Sequence, residues 1–304
     1  MFDQTLRIGT RDSQLALWQA RKVGDLLKAS HINTQMVATK SAGDLNLTKP
    51  IYAMGIQGVF TKTLDIALLE SRIDIAVHSL KDVPTQLPKG LLLAAVLERG
   101  SAGDILIQTN KVELDLNSTI ATGSLRRKAQ WLHRYPNHHL VDLRGNVQTR
   151  INKLFSSNWE GAIFAKAGLE RAELLGAHYK ELDWMIPAPA QGAIGVVCRT
   201  SDSSIIEKLQ KINHQPTQTC VAIERDFLRL LEGGCSAPVG AHAFYLQDKI
   251  HFKGGIFSMD GQTAVITQKE QNLSTTKNLA SEAANEVMSK GGDKIIETIK
   301  GSKD

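Results

Sequence analysis

The residues best placed to do chemistry are basic and hydroxyl side chains set where strands give way to helices. The segment ATGSLRRKAQ (121–130) reads as a strand end followed by a helix start. Free backbone N–H groups and the Thr122 and Ser124 hydroxyls would then face the carboxyl edge of a sheet, where anions are held. Arg126 and Arg127 fall in the first helical turn. Cations there oppose the helix macrodipole by roughly 0.3–1 kcal/mol each, and a bound anion would reverse the local sign. An ordinary N-cap followed by a solvated pair accounts for that segment equally well. Arg144, in DLRGN at the next strand end, and Arg150, a turn into the following helix, shift the balance. Guanidinium groups converging from several strand-to-helix edges suit a carboxylate or a phosphate. Thr10-Arg11-Asp12-Ser13 repeats the theme near the start of the chain. In DIAVHSLKDVP (74–84) a strand delivers Ser79, Lys81 and Asp82 to the same kind of edge, and Pro84 stops its continuation. Asp82 could there stabilise a developing cation or relay protons, although a lone Asp in a loop is usually a capping or turn residue. Cys235, in GGCSAP, has glycine neighbours that would let the backbone approach a bulky adduct. A single cysteine is more often inert packing, and the residues alone do not rank Cys235 as catalytic.

These groups need strands whose carboxyl ends share an edge. Strand patterns at 5–10, 35–39 and 73–79 alternate with helical patterns over 13–29 and 60–71, the βαβαβ order of a mostly parallel sheet with helices on its faces. Ser13 is a natural N-cap, and Leu17, Trp18, Val23, Leu26 and Leu27 give the first helix an apolar side. A second run has strands at 104–108, 118–124, 139–145 and 161–168 with helices over 125–135 and 146–155. The last third changes character. A helix over 221–231 is followed by strands at 239–247, 249–257 and 263–268, turns at Gln247-Asp248 and Asp260-Gly261, and a closing helix over 281–299. Short turns between consecutive strands imply antiparallel pairing. The expected class is α/β, with two such units plus a small α+β C-terminal domain carrying an antiparallel sheet.

Composition narrows the function. The 304 residues favour two or three domains over one, and 42% hydrophobic with 22% charged residues belongs to a folded globular chain. Aromatics at 5% are too few for a stacking platform on single-stranded nucleic acid. The net charge of +5 is regional: residues 121–171 carry +6, leaving −1 for the rest, so the partner is a localised anion rather than a membrane surface. The longest apolar run, 91–97, falls far short of the roughly 20 residues of a spanning helix. The N-terminus lacks a secretory pattern, which points to the cytoplasm. Three cysteines without CxxC spacing and nine histidines without HExxH or an i, i+4 pair argue against disulfides and a metal site. There is no GxGxxG or GxxxxGK[ST].

Seven blocks, RIGTRDSQLALWQA, GVFTKTLDIALLE, DIAVHSLKDVP, TGSLRRKAQ, LRGNVQTR, PAQGAIGV and LEGGCSAPVGAHA, run in this order from residue 7 to about 243. Together they closely resemble the porphobilinogen deaminase (hydroxymethylbilane synthase) family. The resemblance implies two lobes like type II periplasmic binding proteins and a cofactor domain: 1–98 with a returning segment 193–215, then 99–192, then 216–304. It implies a transferase of tetrapyrrole, and hence heme, biosynthesis that joins four porphobilinogen molecules head to tail, releases ammonia at each step and hydrolyses off a linear bilane. Cys235 matches the cysteine that holds a dipyrromethane primer through a thioether, with Arg126, Arg127, Ser124, Lys81 and Asp44 as cofactor contacts. Asp82 matches the catalytic aspartate. Arg11, Ser13, Phe60, Ser79, Thr122, Arg144, Arg150, Arg171 and Gln191 match substrate-binding positions, and no metal is implied. The resemblance is imperfect before the Gly-x-Phe block, where many members carry lysines and this chain has Ala53 and Gln57. The implied partner is porphobilinogen alone, with no nucleic acid, no membrane, and a monomeric chain. Two other readings are weaker. A non-catalytic cytoplasmic anion-binding protein on the same scaffold gives Asp82 with Cys235 no role, and nucleic-acid binding explains only the basic stretch.

Overall fold

A computed structural model describes residues 5–39, 61–109, 114–176, 178–231 and 237–301. Asp44, Ala53, Gln57, Phe60 and Cys235 lie outside the described residues. The chain begins with β1 (Leu6–Arg11), α1 (Gln14–Ala29), β2 (Thr34–Thr39), α2 (Lys62–Leu69), β3 (Ile75–Ser79), a single 3-10 turn (Leu80–Asp82) and β4 (Leu91–Val96). It continues through β5 (Asp104–Gln108), β6 (Thr119–Ala121), α3 (Leu125–Arg134), β7 (His139–Val141), α4 (Val147–Phe155), β8 (Gly161–Ala165), α5 (Lys166–Arg171) and β9 (Lys180–Glu181). The remainder is β10 (Ile194–Arg199), α6 (Ser203–Gln210), α7 (Gln215–Leu230), β11 (Val239–Leu246), β12 (Lys249–Phe257), β13 (Ala264–Asn272), α8 (Leu279–Val287) and α9 (Asp293–Gly301).

Among the described residues three sheets result, in the orders β2-β1-β3-β10-β4, β7-β6-β8-β5-β9 and β11-β12-β13. The first two are only half parallel, which corrects the expectation of mostly parallel sheets. β10 pairs antiparallel with both β3 and β4, and β5 pairs antiparallel with both β8 and β9. An antiparallel strand brings its first residue to the edge where parallel strands end, so Ile194 lies opposite Ser79 and Asp104 lies opposite Ala165.

Local signals explain most element ends. Ser13 caps α1 by accepting from the Ala16 N–H, and Ala16, Ala20, Val23 and Leu27 form its buried face. Five expectations are corrected. The strand expected over 161–168 stops at Ala165 because its partner β5 begins at Asp104, and α5 follows. The strands expected over 118–124 and 139–145 shorten to β6 and β7. α7 starts well before residue 221 because His214 caps it and Pro216 occupies its first turn. The closing helix is two, α8 and α9, divided where Gly291 takes φ +100°. β4, β9, β10 and α6 fall where the sequence pattern sets no expected element.

The C-terminal sheet pairs antiparallel as expected, with Gln247 and Asp248 both at positive φ in the β11–β12 turn. Its core, built on Phe227, Phe252, Ile256 and Val287, packs α7 and α8 on one sheet face. Glu224, fully buried on α7, ties this unit to the rest. It accepts from Arg99 Nη1 (2.6 Å) and Nη2 (3.1 Å) and from the Ala190 and Ala243 N–H groups. Among the described residues, no helix is long and apolar enough to cross a membrane.

Candidate active site

The parallel strands β1 and β3 end side by side, and their carboxyl edge carries the first set of groups. Thr10 is buried and its Oγ1 donates to the Ala16 carbonyl, so it fixes the turn into α1. Ser79 Oγ accepts from Gln19 Nε2 (2.8 Å), a partner on α1 that was not anticipated. The residues after Ser79, expected to form a loop, make the 3-10 turn Leu80–Asp82. Leu80 is fully buried and its N–H donates to the Ala193 carbonyl (3.0 Å), so Lys81 and Asp82 leave a fixed point.

In the second sheet, Ser124 caps α3 by accepting from the Arg127 N–H, and buried Thr122 accepts from the Ser124 N–H. Gly123 is required here. A Cβ would stand 2.4 Å from the Leu143 carbonyl oxygen, so the β6 and β7 ends could not approach. Arg126 and Arg127 are both buried, and the anion that reverses the helix dipole's sign is in part the protein's own Asp104. Arg127 Nε donates to Asp104 Oδ1 (3.0 Å), and Arg126 Nη1 sits 2.8 Å from Oδ2 while donating to the Ile186 carbonyl (2.6 Å). Arg126 Nε is buried without a hydrogen-bond partner. Gln191 completes the link. Its Nε2 donates to Asp104 Oδ1 (2.9 Å) and the Ala102 carbonyl (2.7 Å), and its Oε1 accepts from Lys81 Nζ (3.4 Å) and Arg127 Nη2 (3.5 Å). Gln191 thus joins the Asp82 turn to the arginine-bearing helix.

The electrostatics show which groups share one field. Burial and then Arg127 push the Lys81 ammonium down to about 8, with Asp82 and Asp104 opposing. Burial, Arg127, Arg144 and Arg11 push Arg150 down to about 10, again against Asp82. Burial and Arg11 hold the His78 imidazole down to about 4, so it is neutral at pH 7. Arg11, Lys81, Arg126, Arg127, Arg144 and Arg150 therefore crowd together, offset mainly by Asp82 and Asp104. Such a cation excess is what a polycarboxylate would relieve. Arg171 stands apart. It donates to the Gly192 carbonyl (2.6 Å) and lies over Trp18, and Glu170 is the charge that acts on it. Arg150 Nε donates to the carbonyl of Gly145, which itself takes φ +116°.

Lys81 gives a pH prediction. The group is charged below about 8 and loses its proton above it, so kcat/KM for a carboxylate-bearing substrate should fall through that range. In Lys81→Arg the alkaline limb should move up beyond pH 9, and an unchanged limb would show that another group titrates there.

Residues 6–207 match the profile described as porphobilinogen deaminase, dipyromethane cofactor binding domain, and 218–289 match the porphobilinogen deaminase C-terminal domain. The chloroplastic porphobilinogen deaminase of Oryza sativa is 39% identical over 308 residues, covering 97% of this chain and 86% of that one. The porphobilinogen deaminase of Desulforamulus reducens is 39% identical, covering 97% and 98%, and that of Carboxydothermus hydrogenoformans 40%, covering 96% of each. Among solved structures, a periplasmic substrate-binding protein of an ABC transporter from Coxiella burnetii overlaps with TM-score 0.42 at 11% identity, covering 73% of this chain and 97% of that one, a likeness too loose to argue from. Two profiles in the right order and near full-length identity close to 40% together mean that the chain belongs to the porphobilinogen deaminase family.

Proposed function

We propose that the chain is a hydroxymethylbilane synthase: it joins four porphobilinogen molecules head to tail on a cysteine-linked dipyrromethane primer, releasing one ammonia at each step, and frees the linear tetrapyrrole by hydrolysis. The observation that carries this reading is the convergence of Arg11, Lys81, Arg126, Arg127, Arg144 and Arg150 around Asp82 and Asp104. The primer bears four carboxylates, and the cation excess with a buried, unpartnered Arg126 Nε fits such a group. When bound, the primer supplies the pyrrole carbon to which the next ring is joined. Lys81, Ser124, Arg126 and Arg127, with Asp44, would hold it. Arg11, Ser13, Phe60, Ser79, Thr122, Arg144, Arg150, Arg171 and Gln191 would hold the incoming and growing rings by their acetate and propionate side chains. Asp82 would stabilise the positive charge that develops on the incoming ring as ammonia departs, and would take up the proton lost at coupling.

The division into 1–98 with 193–215, 99–192 and 216–304 fits this work, with two lobes binding the rings and a third unit carrying Cys235. The protein would act as a cytoplasmic monomer on free porphobilinogen, without metal, nucleic acid or membrane. Intact mass spectrometry tests the reading. The purified protein should carry an adduct of two porphobilinogen units, each less one ammonia, absent from Cys235→Ser. An unmodified protein that stays inactive after incubation with porphobilinogen would overturn it.

A further inference from the structure

The turn that bears Asp82 has only three residues and one internal hydrogen bond, from the Val83 N–H to the Leu80 carbonyl (3.2 Å), too little to fix its orientation alone. The carbonyl of its first residue and those of the two residues after it face α7. There Arg225 Nη1 donates to the Leu80 (3.4 Å) and Val83 (2.9 Å) carbonyls, and Nη2 donates to the Pro84 carbonyl (2.7 Å). A guanidinium is suited to this because its planar fork presents several donors in fixed directions. Val221, one turn earlier on α7, packs with Leu80, Val83, Ala190 and Ala193 in one buried cluster. The same helix thus grips the turn by both apolar and polar contacts.

We infer that Arg225 is a positioning residue: by clamping the three carbonyls that flank Asp82, it sets the catalytic turn against α7. The inference rests on the reading of Asp82 and Cys235 given above. Glu224, the neighbouring residue, holds Arg99 and the Ala190 and Ala243 N–H groups. Successive residues of one helical turn therefore do separate work, Glu224 joining the units and Arg225 aligning the aspartate. Without the clamp the turn keeps its buried Leu80 but loses what fixes its rotation, and small displacements of a reacting group are costly.

The test is kinetic, on full-length cofactor-loaded protein, with rates expressed per loaded molecule by intact mass. In Arg225→Met, kcat should fall at least about tenfold while KM for porphobilinogen stays within about twofold, because an orienting contact is lost and no substrate contact is. Arg225→Lys should recover about threefold or more of that loss, since an ammonium can reach some of the carbonyls but not all in one plane. Arg229→Met is the control. Its partner is exposed Asp226 on the same helix, and its kcat should equal wild type. A kcat for Arg225→Met within twofold of wild type, whatever its melting temperature, would show the clamp to be merely structural. So would an equal loss in Arg229→Met. If Arg225→Met does not fold, a kcat deficit at unchanged KM in Arg225→Lys supports the clamp, and an unaltered kcat there overturns it. Wild-type protein lacking both adduct and turnover would instead sink the reading of the site itself.

Discussion

Asp82→Asn is expected to lower bilane formation per loaded molecule by about 10²–10³-fold, the scale seen when a group aimed at developing charge is removed. The substitution keeps the side-chain shape and deletes one negative charge. The fold should survive because the turn is held by other residues: Leu80 is fully buried, its N–H bonds the Ala193 carbonyl, and Arg225 holds the flanking carbonyls. Asp82 is also the only suitable acid of the two that offset the arginine group. Asp104 is ion-paired with Arg126 and Arg127 and accepts from Gln191, and although burial alone would raise it, Arg126 and Arg127 hold it down to about 2. A carboxylate that tightly paired is a poor proton acceptor at neutral pH. The loss should therefore fall on kcat with KM little changed, measured by steady-state ammonia release. Turnover within threefold of wild type would show that Asp82 is not the reacting carboxylate.

How much of this was legible in the sequence follows from the distance over which each signal acts. Caps and turns are local, and they were readable: Ser13 and Ser124 accept from the N–H three residues on, and Gln247-Asp248 turns with both residues at positive φ. The basic cluster was also readable as a cluster, because Arg126, Arg127, Arg144 and Arg150 all follow strand ends. Which carboxylate neutralises them was not. Asp104 precedes Arg126 by 22 residues and reaches it only because β5 runs antiparallel to β8, a pairing that no periodicity encodes. The unfavourable dipole placement of Arg126 and Arg127 was the right signal assigned to one cause, a ligand, when an internal anion supplies part of the answer.

The same limit explains β10 and Gln191. β10 inserts between β3 and β4 after an excursion of about a hundred residues, and that insertion brings Gln191 from the connecting segment to Lys81 and Asp104. Arg225 reads as a helical surface cation in sequence, since its partners are backbone carbonyls more than 140 residues away. Carbonyl acceptors leave no residue-type signature. A positively charged side chain that ends on backbone is visible only once the chain has folded.

The second large effect is expected on stability. Asp104→Asn should cost about 3–5 kcal/mol, the range for removing one partner of a buried ion pair, because Arg126 and Arg127 would remain buried with their shared anion gone. The amide worsens the site, since its NH2 would face guanidinium donors. The pH dependence has a definite sign. Asp104 is held down to about 2 in the folded protein against about 3.9 in an unfolded chain, so its contribution is complete above about pH 4 and is lost as pH falls toward 2. The stability gap between wild type and Asp104→Asn should therefore be constant from pH 5 to 7 and narrow by at most about 2.6 kcal/mol as pH falls from 4 to below 2. Urea unfolding followed by tryptophan fluorescence can read this, because three of the four tryptophans, Trp131, Trp159 and Trp184, lie in or beside the second sheet's unit. The variant should also shift the Lys81 limb of kcat/KM below pH 8, since Asp104 is one of the two charges that hold that proton on. A urea midpoint equal to wild type at pH 7 would mean that the arginines find compensation elsewhere. In that case Asp104 would be a spectator beside them rather than the anion on which their burial depends.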